Sequence, residues 1–529
     1  MTEVAWERGH PECEAFLACS AALPGRVART LSTMASFALD SFEQQAEAFV
    51  RARAWREFSY QTGRRPGRGL VSLYEEDFPD FTSMDLWADL QAATPEDPRQ
   101  HQALSTLLAA ANLEARTRDF AVRTTRVQTS ASAVFEEEDI PWRAVPGRWP
   151  LVAEVPRRHD LEDAWRAVWR TDLNPLLERW QEALRLGIAP LGAQDWLQFW
   201  SGLRGLDLAN IARLADTVLK DTADVYGHAL AVYLNQLDLP IDDVWRSDVE
   251  WAFHAPRFDA VFPERMRMPT VIRVFRDLGI ELEEQTSIQL EYGMLAGVQC
   301  LALEIPHDIH VVSRMEGGWR DLAGTLLGVG MAEHLAHTDA SLRVWERWLG
   351  DDTPTTGYGF LIEGLVRDKT WLASRLEYRA NDDFRVIAHV AWLHRVRATA
   401  ATAVYEQRLW QTEPGASVAA DFEDSLSGAT RVRHFGDEYL GLLLNAPWSS
   451  MQAAVSLRAE LFAAHLRAYL QREFDAEWWR SGRAARFIRD ELWRPGRRYS
   501  ADELLGFMGY EGFDASVLTA EFQEVLRPL

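Results

Sequence analysis

The spacing of apolar residues predicts a chain built mainly from amphipathic helices. After residue 456 the apolar positions recur at intervals of four and five residues, at Leu457, Leu461, Leu466, Leu470 and Phe474. This interval places them on one face of a helix, where they can pack against a neighbouring element. The segment is therefore predicted to be a long, half-buried helix.

Local signals for helix ends support the same interpretation. Ser500 and Glu503 have the spacing of a capping box, in which each side chain accepts a hydrogen bond from the backbone N–H group of the other residue. Gly509 is the predicted end of this helix, because glycine adopts the left-handed conformation that closes helices at little cost.

Alternation typical of strands is scarce, and its clearest case lies near residue 305. Residues 300–304 and 309–312 alternate around a turn at Pro306, His307 and Asp308. Two further stretches, 62–69 and 141–156, contain the glycines and prolines of loops. We therefore predict a mainly α fold with one small antiparallel sheet.

Composition and charge exclude several classes of protein. The 529 residues include 56 Lys and Arg and 79 Asp and Glu, for a net charge of −23, which disfavours nucleic acid and anionic membranes as partners. The three cysteines, Cys13, Cys19 and Cys300, match no disulfide framework or zinc ribbon. Residues 1–16 lack the apolar run of a signal peptide, and no apolar stretch is long enough to span a membrane. We expect a soluble, cytoplasmic protein.

Tryptophan and lysine usage are both unusual. Many of the 22 tryptophans lie on amphipathic stretches, as do Trp165, Trp169, Trp180, Trp196 and Trp200. Helix packing is the favoured interpretation, and an aromatic-lined cleft is the alternative. Lys220 and Lys369 are the only lysines, so a mechanism that depends on lysine is disfavoured.

Two segments carry a resemblance to a known family. Residues 305–321 resemble the strand and Gly-Gly turn that lead into the active-site helix of helical gluzincin metallopeptidases, which include oligoendopeptidase F, thimet oligopeptidase and carboxypeptidase Taq. Residues 322–338 then resemble that helix, whose family pattern contains H-E-x-G-H. Residues 350–363 resemble the second helix of the site, and Glu363 matches the later acid of its pattern.

The resemblance extends over most of the chain from about Asp160. It includes residues 258–263, 278–281 and the stretch from 477 to 510. It implies a two-lobed helical body with a deep central cleft, in which residues 160–529 form the metallopeptidase-like domain and residues 1–159 an N-terminal helical region.

At the positions of the family's catalytic zinc site, this chain carries residues that cannot do the same chemistry. By the resemblance, the first zinc-binding His is replaced by Leu327, the general base by Gly328, the second His by Met331 and the third ligand by Thr356. Leucine has no lone pair, glycine has no side chain, and a thioether is a poor ligand for Zn²⁺. We expect no metal and no cofactor, and we expect the old zinc position to be collapsed and dry. If the scaffold is intact, reversing all four substitutions should restore zinc binding.

An alternative metal site lies slightly downstream. Glu333, His334 and His337 look like a scrambled zinc motif, and a slipped register would let the two histidines bind a metal. Two histidines without a nearby third ligand are a weak signal, so hydrogen-bonded histidines in the cleft wall are the favoured interpretation.

The family's oxyanion-stabilising tyrosines are also replaced. Residues 447–459 resemble the stretch that contains them, with Ser456 at one tyrosine position and Trp448 or Ser449 at another. His434 and Tyr439 lie upstream and remain candidate cleft residues, although a buried polar pair is the more ordinary interpretation.

These observations favour a catalytically inactive pseudo-peptidase that binds a peptide or protein segment in its cleft. An acidic cleft wall would favour basic or amine-bearing ligands. Two alternatives stay open, namely an enzyme of changed chemistry that uses residues such as His334, His337 or His434, and a structural or regulatory subunit. The oligomeric state is not predicted.

Overall fold

A computed structural model describes residues 39–64, 69–293, 297–314, 317–378 and 383–527. Helices make up 72% of the structure, which confirms the predicted mainly α fold. In the first half of the chain the α-helices are α1 (Leu39–Thr62), α2 (Leu70–Ser72), α3 (Met84–Ala92), α4 (Pro98–Ser130), α5 (Val155–Val168), α6 (Asn174–Gly187), α7 (Trp196–Arg204), α8 (Leu208–Asp221), α9 (Ala223–Asn235), α10 (Arg246–His254) and α11 (Glu264–Asp277). In the second half they are α12 (Trp319–His337), α13 (Asp352–Glu363), α14 (Lys369–Arg375), α15 (Asp383–Gln411), α16 (Ala416–Thr430), α17 (Gln452–Phe474), α18 (Gly482–Phe487), α19 (Ala501–Phe507) and α20 (Ala515–Leu526).

The described residues contain five strands in two small sheets: β1 (Ser132–Phe135) and β2 (Glu138–Pro141) in one, and β3 (Ile288–Tyr292), β4 (Val298–Glu304) and β5 (Asp308–Ser313) in the other. β4 and β5 are antiparallel, as predicted from the alternation around Pro306. β3 joins β5 in parallel, so the second sheet is mixed. β3 was not predicted, although its sequence Ile-Gln-Leu-Glu-Tyr alternates as a strand does.

The β1–β2 hairpin was also not predicted, and its turn explains why. Glu136 and Glu137 both have positive φ, at 50° and 67°. Two-residue hairpin turns with this geometry usually contain Asn or Gly, so two glutamates give no turn signal in the sequence.

The predicted helix signals are confirmed. Leu457, Leu461, Leu466 and Leu470 are completely buried on α17. Ser500 accepts from the backbone N–H of Glu503 and Glu503 accepts from that of Ser500, which completes the capping box of α19. Gly509 follows the helix with φ of 84°.

Tryptophans pack in the interior, as the favoured interpretation held. All five that were named are buried. Trp142 and Trp165 stack with nearly parallel rings at a centroid distance of 5.6 Å, and Trp169 meets both edge-on. Aromatic packing therefore fixes the junction between the β1–β2 hairpin and the continuous helical segment 155–187.

Residues Leu39–Leu529 form one compact unit. Its centre is α12, which packs against α13 on one side and against β4 and β5 on another; α13 in turn packs on α17. α4 lies before the predicted domain boundary at residue 159, and it packs on α6 and α7, which lie after it. Within the described residues, no helix has the length and apolar character needed to cross a membrane. Residues 1–16, Cys13, Cys19 and part of the predicted loop at 62–69 lie outside the described residues.

Candidate functional site

α12 is the helix that resembles the family's active-site helix. Its glycines at 324 and 328 face the sheet formed by β3, β4 and β5. A Cβ atom on Gly328 would lie 2.5 Å from Val311 Cγ1 and 2.6 Å from Val298 Cγ1, and one on Gly324 would lie 2.7 Å from Val298 Cγ2. These distances are far inside van der Waals contact. The two glycines therefore allow a close approach between helix and sheet that any side chain would prevent.

A second close approach joins α12 to α13. A Cβ atom on Gly330 would lie 3.2 Å from the Cα atom of Gly359. A Cβ atom on Gly359 would lie 2.7 Å from Met331 Cγ and 2.8 Å from Leu327 Cδ1. The side chains of Leu327 and Met331 thus rest on the backbone of α13, at the level where the family's ligands would face a metal.

The residues present do not fit zinc. Leu327 and Met331 fill the interface with apolar groups, Gly328 is enclosed by two valines, and Thr356 offers only a neutral hydroxyl one turn before Gly359. Among the described residues, no group of three or more His, Cys, Asp or Glu side chains is arranged to hold a metal ion. The apolar contact supports the expectation of a filled metal position.

A cavity of about 910 Å³ lies beside this position, so the cleft itself is not collapsed. Leu327 and Gly324 form part of its wall, together with Glu363. Ser449 and Ser456, which were predicted to stand at the family's tyrosine positions, also line it. We call this space the Leu327 cavity.

Charged groups in the Leu327 cavity are matched with partners. Arg395 donates two hydrogen bonds of 2.6 Å to Glu363 and one of 3.0 Å to Glu460. Burial raises the pKa of Glu363, but the guanidinium of Arg395 outweighs it and the pKa ends below its ordinary value. Arg320 pairs with Glu250 at 2.7 Å across the same cavity. A paired carboxylate of lowered pKa is a poor proton acceptor, so this network is suited to holding shape and polarity.

The residues of the scrambled zinc motif line neither described cavity, which corrects their prediction as cleft residues: Glu333 and His334 are buried and His337 is half-buried. His334 is completely buried and donates from Nε2 to the carbonyl oxygen of Gly496 at 3.1 Å. Burial lowers the pKa of His334 to about 3. His337 donates from Nδ1 to the carbonyl oxygen of Glu333, and the Glu333 carboxylate accepts from Gln285 at 3.2 Å. These three side chains join α12 to the segments around residues 285 and 496.

The two remaining candidates, His434 and Tyr439, lie in different places. His434 lines the Leu327 cavity, and burial lowers its pKa to about 3. The hydroxyl group of Tyr439 donates to Glu178 at 2.7 Å outside the described lining of that cavity, so the structure does not bring the two residues together as a functional pair.

A second cavity, of about 650 Å³, was not predicted. Cys300 and Trp200 are among its lining residues, and two arginines meet there at Trp448. The guanidinium of Arg53 lies 3.9 Å from the centroid of a Trp448 ring, and Nη2 of Arg204 donates to the Trp448 carbonyl oxygen at 2.8 Å. We call this space the Trp448 cavity. Nothing local in the sequence points to it, because its residues come from distant helices.

The linings also correct the expected acidic cleft wall. In both cavities the described lining contains more arginines than carboxylates. The net charge of −23 is therefore carried mainly elsewhere on the protein, and it gives no guide to the charge of a ligand.

Comparison with known proteins supports the fold of the suggested family. A structure described as an oligoendopeptidase F matches with a TM-score of 0.65 and 14% identity, covering 94% of this chain and 97% of that one. The M32 carboxypeptidase from Deinococcus radiodurans R1 matches with a TM-score of 0.59 and 13% identity, over 92% and 99% of the two chains. The carboxypeptidase from Pyrococcus furiosus matches with a TM-score of 0.58 and 12% identity, over 94% and 99%.

No sequence model of a protein family matches, and no curated protein is similar in sequence. The structural matches alone show that the fold is that of the helical metallopeptidases, as the resemblance implied. The likeness spans nearly the whole chain, whereas the sequence resemblance was weak before Asp160.

Proposed function

We propose that this protein is a catalytically inactive member of the metallopeptidase fold, which binds a peptide or protein segment in its cleft without cutting it. The observation that carries the proposal is the contact of Leu327 and Met331 with the backbone of Gly359. Apolar groups occupy the space that ligands and a metal would need, and the ligand positions offer no suitable donors.

The Leu327 cavity supports the binding half of the proposal. It is large enough for a few residues of an extended peptide, and its wall combines apolar surface with fixed charged groups such as the Arg395–Glu363 pair. Side chains already held by several hydrogen bonds lose little conformational entropy when a ligand binds, so they can discriminate among ligands.

The alternative of changed chemistry on the same scaffold has less support. His334 and His337 are committed to hydrogen bonds away from the cavity. Among the candidates only His434 lines the cavity, and its lowered pKa keeps it neutral at physiological pH.

The test measures metal, cleavage and binding on one preparation. After incubation with zinc and gel filtration, we expect no zinc to remain bound by elemental analysis. Dye-labelled random nonapeptides should bind, as measured by fluorescence anisotropy, and should be recovered intact by mass spectrometry. Substitution Ser456→Trp should weaken binding because the indole would fill the cavity.

Ala420→Trp, at an exposed position on α16, is the matched control and should leave binding unchanged. Stoichiometric zinc or cleaved peptide would contradict the inactive assignment. Equal binding by the two tryptophan variants would contradict the location of the site.

A further inference from the structure

The Trp448 cavity contains two positive charges without counter-charges. Among the described residues, neither Arg53 nor Arg204 has an acidic side chain within the 4.0 Å of an ion pair, and Nε of each is buried without a hydrogen-bond partner. The acids that most influence Arg204 electrostatically are Asp352, Glu406 and Asp351, all beyond that distance.

Most aspartates of this cavity have partners other than Arg53 and Arg204. Asp352 pairs with Arg497 at 2.8 Å, and Asp502 pairs with Arg458. The carboxylate of Asp351 accepts from two backbone N–H groups, at Thr353 and Ala501. Glu57, one turn after Arg53 on α1, also lines the cavity and accepts from Gln61 at 2.6 Å. Oε2 of Glu406 is buried without a hydrogen-bond partner in the described part of the chain, but it lies beyond ion-pair distance of Arg204.

Buried indole donors provide a second, independent observation. Trp200 and Trp345 line the same cavity, are 0% and 3% exposed, and have indole N–H groups with no acceptor among the described residues. The indole N–H of Trp448 is buried and unpaired as well. A buried indole N–H or guanidinium group without an acceptor destabilises the folded protein, and a bound ligand that supplies the acceptor removes this cost.

We propose that the Trp448 cavity binds an organic oxyanion, which is a carboxylate or phosphate group attached to an apolar body. The oxyanion accepts hydrogen bonds from Arg53 and Arg204, which supply the planar donors that suit both groups. The apolar body packs against the surrounding indole rings. This site is separate from the peptide-binding proposal, because neither arginine lines the Leu327 cavity.

The experiment uses four defined probes in calorimetric titrations of the full chain. The probes are hippurate, its neutral amide, phenyl phosphate and inorganic phosphate. We expect hippurate or phenyl phosphate to bind, the neutral amide not to bind, and inorganic phosphate to bind more weakly than phenyl phosphate. Tighter binding of hippurate assigns a carboxylate ligand, and tighter binding of phenyl phosphate assigns a phosphoryl ligand.

Two variants locate the site, each with a matched control. Arg53→Gln and Arg204→Met should each weaken binding about tenfold or more, because each removes a charged donor. Arg51→Gln lies on the same helix as Arg53, and its arginine pairs with Glu304 of β4. It should bind as the wild type does, and so should Arg213→Gln at an exposed position.

A measurement without ligand makes the test sharper. Removing an uncompensated buried charge should leave the melting temperature of Arg204→Met equal to or above that of the wild type, while anion binding is lost. The proposal is overturned if the amide binds as well as hippurate, if no probe binds, or if the control variants lose as much affinity as the cavity variants. If Arg204→Met does not fold, Arg53→Gln alone decides the location.

Discussion

The two cavities differ in how the arginines that line them are paired with carboxylates. Around the Leu327 cavity, Arg395 is held by Glu363 and Glu460, and the side chains of Leu327 and Met331 rest on the backbone of Gly359. Around the Trp448 cavity, Arg53 and Arg204 have no acidic partner among the described residues. Arg395 thus has carboxylate partners, whereas Arg53 and Arg204 have none within ion-pair distance in the part of the chain that the structure describes.

This contrast separates two kinds of evidence about function. Paired charges beside positions that carry no metal-binding side chains argue against metal chemistry at that place. Unpaired buried donors indicate which chemistry a ligand should bring. The two cavities therefore bear on different questions, namely which chemistry the fold lacks and which ligand it binds.

The largest expected effect comes from rebuilding the metal ligands without the general base. The variant Leu327→His, Met331→His, Thr356→Glu places three zinc ligands on α12 and α13 and leaves Gly328 in place. We expect about one zinc ion per chain, with a dissociation constant in the micromolar range or tighter. Zinc uptake is measured by elemental analysis and titration.

The double variant without Thr356→Glu is the control and should bind zinc more weakly, since it lacks the third ligand. A folded triple variant that takes up no zinc would show that the assigned register of α12 against α13 is wrong.

The next effect concerns Gly328 and corrects the expectation that all four reversions can be made together. Gly328→Glu would push Cβ to 2.5 Å from Val311 and 2.6 Å from Val298, so we expect a loss of about 3 kcal/mol of stability. Urea denaturation measures it. Gly227→Glu, inside α9 with nothing within 4 Å of its Cβ, is the matched control. A loss at Gly328 no larger than at Gly227 would contradict the close packing of helix and sheet.

A third effect is sensitivity to acid. Burial lowers the pKa of His434 to about 3. The unfolded chain therefore binds a proton from about pH 6.5 downwards while the folded chain does not, and stability falls as the pH falls. At pH 5 this residue alone should cost about 2 kcal/mol relative to pH 8.

His434→Leu should reduce the dependence of melting temperature on pH over that range. His228→Leu, at an exposed position on α9, should not change it. Identical pH profiles for wild type and His434→Leu would show that His434 is not held neutral in the Leu327 cavity wall.

A fourth effect has the opposite sign and concerns Glu406, which interacts electrostatically with Arg204. Burial raises the pKa of Glu406 to about 7, although its Oε1 accepts from the backbone N–H of Met451 at 2.7 Å. The folded chain therefore holds a proton that the unfolded chain releases, and stability falls as the pH rises from about 4.5 to 7. Relative to the wild type, Glu406→Gln should be more stable by about 3 kcal/mol at pH 8 and by less than about 1 kcal/mol at pH 5. A benefit that is the same at both pH values would point to packing instead.

The sequence predicted the features that depend on neighbours along the chain. The leucine stripe of α17 and the capping box at Ser500 need only residues a few positions apart, and both are confirmed. The family resemblance, confirmed at the level of fold, also rests on local stretches in a fixed order.

Features that depend on distant residues could not be predicted. Arg204 and the Trp448 carbonyl oxygen it contacts are 244 positions apart. The burial of His334 depends on Gly496, and the filling of the metal position depends on the absence of a side chain at Gly359. Charge pairing, and the lack of it, is set by three-dimensional neighbours that no periodicity reveals.

The packing of Val298 and Val311 onto Gly328 also bears on the history of the protein. If an ancestor had a glutamate at this position, its loss allowed the sheet to move against the helix. A later return of the glutamate in one mutational step would then meet two valines in the space it once used. In that case the packed valines would oppose a direct reversal to glutamate. A glutamate at this position would first require a smaller side chain at Val298 or Val311.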